Sequence, residues 1–471
     1  MSQSFDIAII GAGPGGYVAA LKAAQRGASV AIVEKGPLGG ACLNVGCIPS
    51  KALLASAELL HTIQHAGAMG VEVPAGVRFN WAKIQARKDR VIQTLRGGIK
   101  SLLAARKATL FQGQAVLNGP GKIAVAGKDG APQEFTAAYT ILATGSVPAR
   151  LPGWPSDPQV VCTSDEALHW SALPGRLLIV GGGIIGCEFA CMMRAFGVEV
   201  TVVEMMPRIL PELDAHLADA MHKIFAKRGI TCLVGAKVQE LHIGGAAAKA
   251  ALSTGQTVEA DKVLVAVGRR PNTAEIGLES VGLTTDRGFV RVDDFMETSA
   301  KGIYCIGDAN GRCLLAHAAS AQGVAAVENI LGHRRAFDAP IPSCVYTFPE
   351  IGSVGLSQEQ AQARGLPVAI GSFPLGYLGK AMAVGDTDGF VKVIRHRETG
   401  QLLGVHMMGH NVTECIAAAG ALMHQKVAVR DVADVVFAHP TMSEGLKEAA
   451  EDALSMALHL PPRKVLRAAA E

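Results

Sequence analysis

FDIAIIGAGPGG (residues 5–16) and RLLIVGGGIIG (residues 176–186) decide the fold. Each reads as a short apolar strand running into a G-x-G-x-x-G turn and then into an Ala-rich helix. Gly11, Gly13 and Gly16 are followed by ASVAIVE, ending in Glu34; Gly181, Gly183 and Gly186 are followed by VEVTVVE, ending in Glu204. In both copies the acid stands 23 positions after the first glycine, at the end of a second apolar strand. One such turn is a weak signal. Two, with strand, helix and acid at matched spacing, form the dinucleotide-binding fingerprint: the glycines permit a tight turn and close approach of a pyrophosphate to the helix N-terminus, and the acid accepts bonds from a ribose hydroxyl. Two Rossmann-like α/β domains that bind two dinucleotides are expected.

Composition agrees with a folded enzyme of several domains. The 471 residues are 49% hydrophobic and 18% charged, which excludes disorder, and 54 of them are Gly, an excess that the two turns begin to explain. Lys and Arg number 44 against 41 Asp and Glu, too even a balance for the basic surface that nucleic acid or an anionic membrane requires. The stretch of highest apolar density, Leu177 to Met193, is short for a membrane span, holds Glu188 and contains four glycines. Ten scattered cysteines and an N-terminus without a signal-peptide core point to a cytoplasmic protein with mostly reduced thiols.

The intervals between motifs lay out the domains. A first dinucleotide domain begins at residues 1–146, with a helical excursion from about Ser50 to Ala105 and a return to YTILATGS at 139–146. A second dinucleotide domain is expected at 147–271, ending on VLVAVGRRPN. The segment 272–339, with the strand-like GIYCIGDA at 302–309 and a helix from about His317 to Leu331, is expected to return to the first domain. Residues 340–471 have strands followed by helices and no glycine fingerprint, and read as a separate α+β domain.

Between Glu34 and the helical excursion lies GGACLNVGCIPSKALL, residues 39–54. Cys42 and Cys47 are too widely spaced for the common zinc knuckle and have no second ligand pair nearby. They are either two buried thiols or a redox dithiol at a helix start, where the dipole favours the Cys47 thiolate. Beside a flavin such a pair is a two-electron relay. Lys51, one turn after Cys47, either reaches toward flavin N5 or is an ordinary solvated lysine. At the far end FAHPTMSEGLKEAA (437–450) sets His439 before a proline and Glu444 five residues on, with Ser443 as candidate N-cap. A Glu444 turned back onto the imidazole would fix the tautomer of a general base; a structural histidine is the other reading. The other eight cysteines read as structural, including the i, i+4 pair Cys187 and Cys191, and neither they nor Met205 and Met206 suggest a metal.

Together these stretches carry a resemblance. The chain resembles, over nearly its full length, the flavin-dependent pyridine nucleotide-disulfide oxidoreductases, and within them the branch that oxidises dihydrolipoamide for 2-oxo acid dehydrogenase and glycine cleavage systems. The motifs are GAGPGGYVAA at 11–20, the cysteine segment at 39–54, ATGS at 143–146, GGGIIGCE at 181–188, GRRPNT at 268–273, IGDA at 306–309, LLAHAA at 314–319, GDTDGFVKV at 385–393 and AHPTMSE at 438–444. The resemblance implies an FAD domain in two parts, an inserted NAD domain and a C-terminal dimerisation domain. It makes Cys47 the thiol next to the flavin, Cys42 the thiol that exchanges with substrate, and His439, oriented by Glu444, the base, reaching the cysteine pair of the other subunit of a homodimer. Lys51 would lie near flavin N5 and pair with Glu188. FAD would be held by Gly11, Gly13, Gly16, Glu34, Lys51, Ala115, Thr144, Gly145, Ser146, Asp308, Leu315, Ala316 and His317. NAD would be held by Gly181, Gly183, Gly186, Glu188, Glu204, Val238 and Gly268. The implied partner is a lipoyl-bearing E2 or glycine cleavage H protein.

Glu204 favours the two ribose hydroxyls of NAD over the 2′-phosphate of NADP, and Met205, Met206, Pro207 and Arg208 supply no strong basic cluster. This weighs against a glutathione-reductase-like enzyme. The terminal KVLRAAAE, without a thiol, weighs against mercuric-reductase-like and large thioredoxin-reductase-like enzymes. An idle flavoprotein scaffold or redox sensor is the remaining alternative, against which stand all four of Cys42, Cys47, His439 and Glu444. Ala318, Ala321 and Gln322 depart from the family's usual charged residues, with local surface charge as the expected consequence.

Overall fold

A computed structural model describes residues 3–461 except 75, 128–131, 156 and 246, so the terminal KVLRAAAE lies outside the described residues. At its centre the strand Gln3–Ile10 runs parallel to Val30–Glu34 on one side and to Gln133–Leu142 on the other. Ile7, Ala8 and Ile9 are fully buried, since helices cover both faces of a parallel sheet and polar alternation has no place there. Thr109–Gln112 extends one edge, and Ile303–Cys305 pairs with Gln133–Leu142 on the other, so GIYCIGDA does return to the first sheet. Lys122–Ala126 and Gln114–Leu117 add an antiparallel arm. The helical excursion is two helices, Cys47–His65 and Trp81–Ala105, the second started by Asn80, whose side chain accepts the Lys83 N–H at 3.0 Å.

The second sheet repeats the plan: Ile230–Val234, Glu199–Glu204, Arg176–Val180, Lys262–Val265 and Val161–Thr163 lie side by side, all parallel. The chain enters and leaves this unit through two short antiparallel strands, Ser146–Pro148 and Arg269–Pro271. A third sheet, antiparallel, follows: Ser343–Val345, Glu350–Gly355, Leu402–Gly409, Phe390–His396 and Val368–Pro374, with helices Val412–His424 and Glu444–Ala453 against it. Among the described residues no helix is long and apolar enough to cross a membrane.

The departures at 318–322 are not a matter of surface charge. Ala318 and Gln322 are buried, and Gln322 Oε1 accepts the Gly307 N–H at 2.8 Å and the Asn310 amide at 2.9 Å, fixing the turn that carries Asp308. The GDTDGFVKV motif contributes a buried ion pair. Lys392 Nζ lies 2.8 Å from both oxygens of Asp214, which also accepts the N–H groups of His216 and Gln358, so the start of helix Ala215–Lys227 is tied to the third sheet. Breaking such a pair strands a charge in the interior. Lys392→Met is expected to cost about 3–5 kcal/mol. Adding Asp214→Asn should recover part of that loss, because a neutral amide can still accept the His216 N–H. Thermal unfolding of the two variants, read by circular dichroism, checks this; equal melting temperatures for Lys392→Met and wild type would refute it.

Candidate active site

The two glycine turns are superimposable in their sterics. Gly11 and Gly181 hold φ of 104° and 107°, and a Cβ on either would sit 2.3 Å from a carbonyl oxygen, that of Ala143 or Ala266. Gly16 and Gly186 are the close-packing positions: a Cβ there would lie 1.9 and 2.0 Å from the carbonyl oxygens of Gly11 and Gly181. Gly11, Gly13, Gly181 and Gly183 line the cavity described below. Glu34 and Glu204 also do more than spacing suggested. Glu34 accepts the N–H groups of Ala12 and Gly36 at 2.7 and 2.8 Å, and Glu204 those of Gly182 and Met206 at 2.7 Å each. Each carboxylate thus ties its own turn to the strand end; its oxygens retain acceptor capacity for a ribose.

The turns open into one cavity of about 2330 Å³, more than twice the roughly 1,000 Å³ upper range of a single small-ligand pocket. Glu34, Ala115, Thr144, Gly145, Ser146, Asp308, Leu315, Ala316 and His317 line it around the first fingerprint. Glu188, Glu204, Val238 and Gly268 line it around the second, and Cys42, Cys47 and Lys51 stand on the wall as well. The wall fits dinucleotides: at Gly183 a Cβ would meet nothing within 4 Å, and Thr144 Oγ1 is buried without a hydrogen-bond partner.

Cys42 lies on the short helix Gly40–Val45, and Cys47 opens helix Cys47–His65. Both are free thiols, and each is the leading influence on how the other titrates. The bond to Cys47 and burial push the Cys42 thiol far up, so Cys42 keeps its proton and donates it. Cys47, accepting that bond and facing the Lys51 ammonium, is lowered to about 7 against the opposing effects of burial and Glu188. Lys51 Nζ is 2.7 Å from Glu188 Oε2 and lies 4.4 Å from the centre of the Tyr346 ring. His439 Nδ1 is 2.8 Å from Glu444 Oε1, and Glu444 Oε2 accepts the Thr441 N–H at 2.8 Å. Burial raises the Glu444 carboxyl, but these bonds outweigh it and hold the group below its ordinary value. Ser443 precedes the helix without capping it by its side chain; its hydroxyl is 3.6 Å from Cys415 Sγ instead. The His439 pair is not on the cavity wall: His439 is 75% exposed.

Residues 5–323 match the model of the pyridine nucleotide-disulphide oxidoreductases, and residues 341–450 match that family's dimerisation domain. The chain belongs to this family. It is 39% identical to the dihydrolipoyl dehydrogenase of Chlamydia muridarum and 41% identical to that of Bacillus subtilis, covering 98% of this chain and 100% of each relative. Among solved structures it is similar to LpdA from Mycobacterium tuberculosis, with a TM-score of 0.89 and 30% identity over 95% of this chain and 99% of that one. The HOCl-induced flavoprotein disulfide reductase RclA from Escherichia coli, solved as a Cu(II) complex, gives a TM-score of 0.86 at 28% identity, covering 96% of this chain and 99% of that one.

Pyridine nucleotide-disulphide oxidoreductases of this kind work with FAD and NAD and dimerise through the third sheet's domain, which here presents His439. Two further residues join this site without a role read from the sequence. Tyr346 donates its N–H to Glu188 Oε1 at 3.0 Å, and Arg269 bonds the Ser146 hydroxyl at 2.7 Å and carbonyl at 2.9 Å. The Ser146 hydroxyl in turn donates to Asp308 at 2.5 Å. GRRPNT was a usable signal for Arg269; Tyr346 had none, being 158 residues from Glu188.

Proposed function

We propose that the chain oxidises protein-bound dihydrolipoamide to lipoamide and reduces NAD+ to NADH, as the E3 component serving a lipoyl-bearing E2 or a glycine cleavage H protein. One observation carries the reading: Cys42 and Cys47 stand together on the wall of the cavity that joins the two dinucleotide turns, with Lys51 and its partner Glu188 beside them. Curated relatives of that name over the full length support it. The balanced charge and free thiols favour a cytoplasmic setting.

In the oxidised enzyme Cys42 and Cys47 share a disulfide. His439 of one subunit of the homodimer, oriented by Glu444, takes a proton from a substrate thiol held at the cysteine pair of the other. The substrate thiolate attacks Cys42 Sγ, the disulfide breaks, and Cys47 leaves as the thiolate that Lys51 stabilises. The second substrate thiol then attacks the substrate sulfur of the mixed disulfide. Lipoamide departs and Cys42 is left as a thiol, so two electrons have moved from substrate to the pair. FAD, when bound by the Gly11 to Gly13 turn, Glu34, Ala115, residues 144–146, Asp308 and residues 315–317, supplies the two-electron path from the dithiol to NAD+. NAD+ is taken by the Gly181 to Gly183 turn, Glu188, Glu204, Val238 and Gly268.

The purified holoenzyme should form NADH from NAD+ and dihydrolipoamide, with NADP+ a poor substitute. It should leave oxidised glutathione unreduced by NADPH. Absence of NADH formation would remove this reading, and glutathione reduction would favour a sister reductase.

A further inference from the structure

Four residues separate Cys42 from Cys47, and one of them, Asn44, makes more polar contacts than the chemistry above uses. Its amide nitrogen donates to the carbonyls of Gly40 at 2.8 Å and Leu38 at 3.0 Å. Its carbonyl oxygen accepts Arg96 Nη2 at 2.5 Å. Arg96 comes from helix Trp81–Ala105, 52 residues away, and its Nε is buried without a partner. The Gly40–Val45 turn is fastened on its other side, where the Gly39 N–H donates to the Ala12 carbonyl at 2.9 Å and a Cβ on Gly40 would lie 2.6 Å from the Gly13 Cα. The helix that carries Cys42 is therefore clamped between the first dinucleotide turn and Arg96.

We infer that the Arg96–Asn44 bridge is a positioning device that sets how closely Cys42 is held to Cys47, and so the redox midpoint of the pair. The inference rests on the proposed redox role of the two cysteines. The bridge acts through geometry: it fastens the helix Gly40–Val45 that carries Cys42, while the cation beside both sulfurs is Lys51. The stability of an internal disulfide follows the effective concentration of one thiol at the other. A bridge that holds the thiols in contact raises that concentration and makes the disulfide harder to reduce. It also keeps the Cys42 hydrogen bond on the Cys47 thiolate.

Asn44→Ala and Arg96→Met, each checked for bound FAD, are to be equilibrated in oxidised and reduced dithiothreitol mixtures, with the thiols trapped by alkylation and counted by mass. Both variants should form the disulfide about tenfold less favourably, about 30 mV more oxidising for a two-electron couple. Arg96→Lys, which keeps a donor for the Asn44 oxygen, should return most of the shift, which a merely structural loss would not do. FAD-replete Asn44→Ala and Arg96→Met proteins with the wild-type midpoint would overturn the inference. If Asn44→Ala fails to fold, Arg96→Met decides, because it lies outside the redox turn. A wild-type pair that does not cycle at all would instead indict the proposed function.

Discussion

Cys42→Ser enzyme is expected to lose NAD+ reduction by dihydrolipoamide by about 10⁴-fold or more, the scale on which removing a covalent-catalysis sulfur or oxygen acts. It should nevertheless keep the Cys47 thiolate, seen as a long-wavelength charge-transfer band against oxidised flavin. The contrast follows from the division of labour: Cys42 is the sulfur the substrate attacks, while Cys47 carries the negative charge. A lowered thiol pKa places the thiolate above that pKa and removes it below. The band of the two-electron-reduced wild type should therefore persist at pH 8 and fade as pH falls through about 7. The leading cause of the lowering is the hydrogen bond from Cys42. Cys42→Ser keeps an O–H donor and should shift the half-point little, whereas Cys42→Ala removes the donor and should move it upward. Spectra titrated between pH 5 and 9 read all three. A Cys42→Ser enzyme with normal turnover, or one whose band has vanished at pH 8, would exchange or abolish the two roles.

His439→Gln is the second large effect, a loss of about 10² to 10⁴ in turnover with dihydrolipoamide, the usual reach of a positioned general base. Glu444→Gln should cost less, because the amide can still meet Nδ1 although the charge that favours an imidazolium is gone. The exposed place of His439, off the cavity wall that holds the cysteines of its own chain, bears on which site it serves. Heterodimers made from Cys42→Ser and His439→Gln subunits separate the possibilities. If the base crosses between subunits, one site in each heterodimer pairs an intact cysteine pair with an intact histidine, and half the wild-type activity returns. If the base acts within its own chain, both sites carry a lesion and no activity returns.

The parts of this site legible in the sequence are those whose chemistry is local. A turn that needs φ near 105° beside a carbonyl oxygen 2.3 Å from any Cβ admits Gly and little else, so Gly11 and Gly181 declare themselves in the chain. Cys47 at a helix start and His439 five residues before Glu444 are likewise short-range patterns, and the 2.8 Å contact between the latter two closes within one turn and its approach. Local pattern misleads where burial decides. Gln322 reads as a polar surface residue of a helix, yet it lies in the interior, because helix Ala316–Ile330 packs against Pro14–Gln25 and turns that face inward onto Gly307. Ser443 has the right residue type for a cap, but its hydroxyl points to Cys415.

By itself the sequence determined two dinucleotide units, their order in the chain and a dithiol next to the first, because backbone sterics and side-chain period act over fewer than about ten residues and leave a pattern there. Only the tertiary structure decided what surrounds that dithiol. Tyr346 against Glu188, Arg269 against Ser146, Arg96 against Asn44 and Lys392 against Asp214 join residues 52 to 178 positions apart. Each of these contacts exists because whole sheets and helices pack to bury apolar faces, and that packing brings together polar groups whose partners no local pattern records.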